Sequence, residues 1–108
     1  VLLTEANRVP EALAAFRRMN EDYPELPDPL NNMAVLYAAQ GQLDQARLAL
    51  EAALRTDPQH RASRENLAEI HVRLAVRLWE GLVDGSAPVN EGLARKLRMA
   101  RDLVRTPG

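Results

Sequence analysis

The sequence predicts an all-α fold: a solenoid of antiparallel helix pairs that ends in an extended helix and a C-terminal capping helix. Three observations predict it. Apolar residues recur at helical spacing along most of the chain. The pattern between Pro27 and Pro58 recurs before and after itself at an offset of 34 residues. β-Branched and aromatic residues, which favour sheets, are sparse; aromatics make up 4% and Ile70 is the one isoleucine. Hydrophobic residues stand at 46%, ordinary for a globular domain, so Ala and Leu must do most of the packing. At 108 residues the chain is read as a single domain with a modest core.

The elements follow in order. Val1 to Ala6 reads as the tail of a helix whose beginning is missing, and the start at Val1 without Met reads as a fragment. Asn7 can take the left-handed conformation that ends a helix, and Pro10 fits the first turn of the next. Val9, Ala12, Leu13, Phe16 and Met19 form that helix's apolar stripe, and Tyr23-Pro24 ends it, because the residue before proline is pushed out of the helical region. After a connector, Glu25 to Pro27, Asp28 is the expected N-cap with Pro29 at the first helical position. Leu30, Met33, Ala34 and Tyr37 are the inner face of the helix that follows, and Gly41 closes it. A second helix from about Leu43 to Arg55 is expected to bury Leu43, Ala46, Leu50, Ala53 and Leu54 before Asp57-Pro58 stops it.

Adding 34 maps Asn7 to Gly41, Val9 to Leu43, Ala12 to Ala46, Phe16 to Leu50, Met19 to Ala53 and Pro24 to Pro58. Each pair keeps its physical role as turn residue, apolar residue, small residue or helix stop. Forward of the complete unit, Asn32 maps to Asn66, Met33 to Leu67, Ala34 to Ala68 and Tyr37 to His71. These residues give four segments: 1–26 as the second half of a truncated repeat, 27–60 as a complete repeat, 61–83 as the long helix of a degenerate one, and 88–105 as a capping helix.

A helical hairpin with this period, carrying Leu30, Asn32-Met33-Ala34, Tyr37, Gln40-Gly41, Ala46, Leu50, Ala53-Leu54 and Asp57-Pro58, resembles the tetratricopeptide repeat. That family prefers Trp or another large residue where Leu30 sits and aromatics at Leu43 and Leu50; these are conservative departures. The likeness covers about residues 1 to 75. More loosely, the stretch from Tyr23 to Gly41 resembles uncharacterised repeat proteins of proteobacteria, which leaves the bacterial cytoplasm and the periplasm both open as compartments.

After Leu74 the correspondence fails. Gly41 maps to Ala75, Ala46 to Glu80 and Leu50 to Asp84, so the turn glycine and the small packing residue are gone. A helix starting near Arg61 is expected to run on to Val83, about 35 Å at ~1.5 Å per residue. Leu67, His71, Leu74, Leu78 and Leu82 make one stripe on it, and Ala68, Val72, Ala75, Trp79 and Val83 another. His71, in the place of Tyr37, is expected to be packed or half-exposed. Asp84 to Pro88 is a turn cluster, and Val89, Leu93, Leu97, Ala100 and Val104 are the stripe of a last helix. That helix either caps the open end of the array or, with the apolar overhang of Leu78, Trp79, Leu82 and Val83, meets a second chain.

The family resemblance implies a concave groove lined by the first helix of each pair. On this chain it implies Asp28, Asn31, Asn32, Val35 and Ala39, followed by Ala62, Glu65, Asn66, Glu69 and Arg73. Asn32 and Asn66 stand one period apart, and an amide offers both a donor and an acceptor to an extended peptide backbone. One subset of the family clamps the C-terminal carboxylate of heat-shock chaperones. Of that set only Asn32 is matched; Val1, Ala62 and Asn66 stand where Asn, Lys and Arg would be required. Glu65 and Glu69 make a neutral or basic ligand segment the more natural one.

Other chemistries find little support. There are no cysteines, hence no disulfide, thiolate or cysteine-ligated zinc. His60 and His71 do not stand at metal-ligand helical spacing, and no nucleophile–base pair, phosphate loop or carboxylate dyad stands out. The longest apolar run, Met33 to Ala39, is too short to span a membrane. Arg95, Lys96, Arg98, Arg101 and Arg105 cluster on the last helix, yet with few aromatics to stack bases and with Glu91 and Asp102 between them they read as a solvated face, not a nucleic-acid site. Net charge is −1, split into −4 over residues 1–60 and +3 over residues 61–108, an uneven surface that could also bias self-association. The expectation is a non-enzymatic module that binds a protein or peptide, without cofactor or metal; the alternative is a self-associating structural module.

Overall fold

The computed structural model describes residues 8–83 and 90–105, and among them every regular element is an α-helix. In chain order these are α1 (Val9–Asp22), α2 (Asp28–Ala39), α3 (Leu43–Thr56), α4 (Arg61–Val83) and α5 (Glu91–Arg105). Both ends of α1 map onto both ends of α3 at an offset of 34 residues. The connectors repeat as well. Tyr23 donates its N–H to Met19 and accepts from Leu26, and 34 residues later Asp57 donates to Ala53 and accepts from His60, all at 2.8–3.1 Å. The expectations placed on Val1 to Asn7, on the turn cluster from Asp84 to Pro88 and on Val89 lie outside the described residues.

The chain divides into two compact units, Val1–Leu67 and Ala68–Gly108. In the first, α2 packs against both α1 and α3. Leu43, Ala46, Ala49, Leu50 and Ala53 on α3 are buried, as are Met33 and Ala34 on α2. Ala46, Leu50 and Ala53 have no accessible surface; two methyl-sized side chains on either side of one leucine let the helices approach closely. Leu30, Tyr37 and Leu54, expected inside, are half-buried, and the Tyr37 hydroxyl accepts from Arg17 Nη2 of α1 at 3.1 Å. On α1 the stripe of Val9, Leu13 and Phe16 is half-buried and Met19 is exposed.

Gly41 ends α2 in the left-handed region at φ 77°. Its N–H donates to Ala38 at 3.0 Å and that of Gln42 to Tyr37 at 2.9 Å, the paired 5→2 and 6→1 bonds that satisfy the last carbonyls of a helix. The start of α2 differs from expectation. Asp28 is not the N-cap; it occupies the first helical position, with Pro27 before it and Pro29 after it. Pro27 and Pro29 are both buried, and the helix opens on a bond from the Asn31 N–H to the Pro27 carbonyl at 3.0 Å. The Asp28 carboxylate is thereby free to bond elsewhere.

The second unit holds the later turns of α4 together with α5. On α5, Leu97 and Ala100 are buried and Leu93 and Val104 half-buried, the stripe expected from the spacing. Asn90 caps this helix, its Oδ1 accepting from the Leu93 N–H at 2.7 Å, a cap the sequence reading overlooked. Arg101 Nη2 donates to Glu80 Oε2 at 2.6 Å and so ties α5 to α4. On α4, Val72, Ala75, Trp79 and Val83 of one expected stripe are half-buried but Ala68 is exposed, and of the other stripe Leu74 is half-buried while Leu78 and Leu82 are exposed. His71 is exposed too, which corrects the expectation of a packed or half-exposed ring. Tyr37 sits four residues before a glycine turn that folds α3 back beside it; at the equivalent point α4 simply continues.

Nothing lies within 4 Å of where a Cβ on Gly41 would stand, so Gly41→Ala tests backbone conformation alone. Urea unfolding should show a loss of about 1–2 kcal/mol, and Gly41→Asn a smaller one; equal stability of Ala and Gly here would contradict the closing turn.

Candidate functional site

On α2, Asp28, Asn32, Val35 and Ala39 are spaced to share one helical face, and all four are exposed. Val35 keeps 51% of its surface in contact with solvent, and the Asn32 amide takes no hydrogen bond among the described residues. At the start of α4, Ala62 and Glu65 are exposed and Asn66 is half-buried. Glu65 Oε1 accepts from Arg61 Nε at 2.8 Å. That bond, and then the carboxylate charge, hold the Arg61 guanidinium above its ordinary pKa. Glu69, exposed, and Arg73, half-buried, belong to the second unit.

Asn31 departs from the expected groove set. It is buried, with 8% of its surface accessible, and its Oδ1 accepts from Ser63 Oγ at 3.3 Å and from Asn66 Nδ2 at 3.0 Å. Ser63, which has no accessible surface, is also 2.7 Å from His60 Nδ1. His60 Nε2 in turn lies 3.0 Å from Asp28 Oδ1. A continuous chain of hydrogen bonds therefore runs Asp28–His60–Ser63–Asn31–Asn66, from an exposed carboxylate through two buried side chains to a half-buried amide. It joins the first turns of α2 to the first turns of α4. No side-chain polar atom among the described residues is buried without a partner.

The order carboxylate, imidazole, hydroxyl invites comparison with a hydrolytic triad, and burial decides against it. A nucleophilic hydroxyl has to meet a substrate carbonyl, and no substrate atom can reach an oxygen with no accessible surface. The arrangement can fix the register of α4 on α2 and orient Asn66; it cannot attack.

His60 and Ser63 went unread as connectors. Asp28 and His60 are 32 residues apart, as are Asn31 and Ser63, while Asn31 and Asn66 are 35 apart. Residues that face each other across successive repeats stand just short of or just beyond the 34-residue period, so a search at the period alone misses them. One signal was present: Ser63 is the 34-residue counterpart of Pro29, and both are fully buried.

In the second unit the self-association set divides. Leu78 and Leu82 are 71% and 60% exposed, whereas Trp79 and Val83 are half-buried. On α5, Met99 and Leu103 are exposed at the same i, i+4 spacing and were not singled out in the sequence. Of the basic residues on α5, Arg95, Lys96 and Arg98 are exposed, and Arg101 is paired with Glu80. No group of three or more His, Cys, Asp or Glu is placed to hold a metal ion among the described residues, and no helix there is long and apolar enough to cross a membrane.

Ser63→Ala is expected to lower stability by about 1–3 kcal/mol, because it removes one of the two donors to the buried Asn31 Oδ1 and takes the Ser63 partner from His60 Nδ1. The loss should appear as a lower urea midpoint with an unchanged slope. A midpoint equal to wild type would remove the chain's structural role. Among comparisons with known proteins, a family model described as tetratricopeptide repeat matches residues 3–70. No curated protein and no solved structure matches the chain.

Proposed function

Because the chain belongs to the tetratricopeptide-repeat family, whose members generally serve as scaffolds for protein–protein interaction, we propose that the exposed face of α2 and the start of α4 bind an extended peptide segment of a protein partner, without catalysis. The observation that carries this reading is the pairing of Asn32 with Val35. An amide with no hydrogen bond among the described residues stands beside a half-exposed aliphatic side chain, one turn away on the same face. Such a face can hydrogen-bond a peptide backbone and cover an apolar side chain at once. Asn66, one period on, supplies a second amide. Asp28 and Glu65 flank these groups, each already bonded to a cationic or ionisable partner, so a neutral or mildly basic segment meets least repulsion there.

The test begins with a peptide selected from a random-sequence display library on the wild-type protein. Its affinity for Asn32→Ala should fall at least about tenfold, the loss of roughly 1.4 kcal/mol, and for Asn32→Ala combined with Val35→Ser it should fall further, with circular dichroism unchanged. Undiminished binding by the double variant would remove this face as the site.

A second reading is favoured by one observation, the exposure of Leu78 and Leu82 along a single face of α4. Apolar surface of this kind marks contact sites when it is contiguous, and self-association through the second unit would cover it. Sedimentation should then show wild type associating with concentration and Leu78→Glu/Leu82→Glu remaining monomeric. A wild type that is monomeric at every concentration removes this reading.

A further inference from the structure

The hydrogen-bond chain behind the α2–α4 face has a direction, and that direction follows from which of its members can only accept. The Asp28 carboxylate accepts, so the hydrogen between it and His60 lies on Nε2. Asn31 Oδ1 accepts from both Asn66 Nδ2 and Ser63 Oγ. Ser63 has a single hydroxyl hydrogen, and with that hydrogen given to Asn31 its oxygen must accept from His60 Nδ1. With the Asn31 amide in this orientation, the chain is complete when each ring nitrogen of His60 carries a hydrogen, Nε2–H facing Asp28 and Nδ1–H facing Ser63. At its far end, Asn66 has its amide nitrogen turned inward. The Asn66 Oδ1 has no partner among the described residues, and since no such atom is sealed from solvent, it is the carbonyl that Asn66 presents outward.

A neutral ring reverses the direction. With Nε2–H kept on Asp28, Nδ1 becomes an acceptor and takes the Ser63 hydrogen. Asn31 can then satisfy the Ser63 oxygen only by turning its amide over to donate. Asn66 in turn meets an NH2 group and has to offer its own carbonyl inward, leaving its NH2 outward. The two arrangements differ by one proton at His60, whose side chain is 17% exposed, and they present opposite ends of the Asn66 amide outward.

We propose that His60, Ser63 and Asn31 are positioning residues that relay the protonation of His60 to the Asn66 amide, and so set whether Asn66 accepts from or donates to a bound peptide backbone. The proposal rests on the peptide-binding reading of this face only for the use to which Asn66 is put; the relay itself needs no ligand. Asp28 of α2 bonds the ring, and the charged residues near His60 in sequence are Asp57 in the preceding connector and Arg61, Arg64 and Glu65 on α4. The Asp57 carboxylate is engaged by the Gln59 N–H, Arg61 by Glu65 and Arg64 by Gln59, which leaves Asp28 as the ring's charged partner.

Nuclear magnetic resonance of the 15N-labelled full chain across pH tests the relay directly. The ring nitrogens of His60 report its protonation, and the side-chain amides of Asn66 and Asn32 report the response. The relay predicts that the Asn66 signals shift with the same midpoint as the His60 ring while those of Asn32 do not. It also predicts that Ser63→Ala abolishes the Asn66 shift and leaves His60 still titrating. An Asn66 amide that ignores the His60 titration in wild type, or that still follows it in Ser63→Ala, overturns the proposal. Should Ser63→Ala fail to fold, His60→Gln serves instead, and any remaining Asn66 shift in that variant is equally fatal. None of these outcomes depends on peptide binding, so loss of the binding reading and loss of the relay are told apart.

Discussion

Asn31 keeps 8% of its surface accessible, and its Oδ1, turned toward the beginning of α4, has to be satisfied by protein. An unpaired amide would cost about 1–3 kcal/mol, a sizeable part of what holds a domain of this size together. Ser63 and Asn66 satisfy it, and this works in one register only. Sliding α4 by a residue would carry both donors about 100° around the helix. Apolar contacts between repeats are tolerant of small shifts; two hydrogen bonds to one oxygen are not. The position of the exposed residues on the first two turns of α4, Ala62, Glu65 and Asn66, follows from that constraint.

The hairpin of α2 and α3 meets its own requirement in a different way. Its closing turn depends on one backbone angle at Gly41, and its helix contact on small side chains at Ala46 and Ala53. Neither requirement is met again further on. Ala75 and Glu80 stand at the positions equivalent to Gly41 and Ala46, and α4 runs unbroken to Val83. A helix that cannot turn has to bury its later residues by another route. In the second unit it is the Val72, Trp79 and Val83 side that is partly covered, with Arg101 bonded to Glu80 from α5. Leu78 and Leu82 stay in water.

Much of this was legible in the sequence, and the boundary is physical. Turns and stops were readable because they depend on a residue's own backbone: Gly41 for its left-handed φ, Tyr23-Pro24 and Asp57-Pro58 for the helical conformation that proline denies its predecessor. The extent of α4 was readable for the converse reason, since the residues that would have stopped it are missing. Polar placement was not. Asn31 and Asn32 are neighbours of the same type, and which of them turns inward is decided by Ser63 and Asn66, more than thirty residues away. Helical periodicity ranks apolar faces; it cannot assign one of two adjacent amides to the interior when the partner is itself polar. His60 was seen only as a poor metal ligand, and Asp28 was given to the helix end because the residue before a helix is where an aspartate most often bonds. The structure gives each of them to the other.

The α2–α4 register depends on Asn31 and Ser63 acting as a pair. A double-mutant cycle in urea with Asn31→Ala, Ser63→Ala and the combination measures that pairing without reference to any ligand. A coupling of about 1 kcal/mol or more, within the range found for side chains in one hydrogen-bond network, is the predicted result, the double variant being less destabilised than the two single losses together imply. Additivity within error would contradict it, and the α2–α4 register would then rest on apolar packing alone.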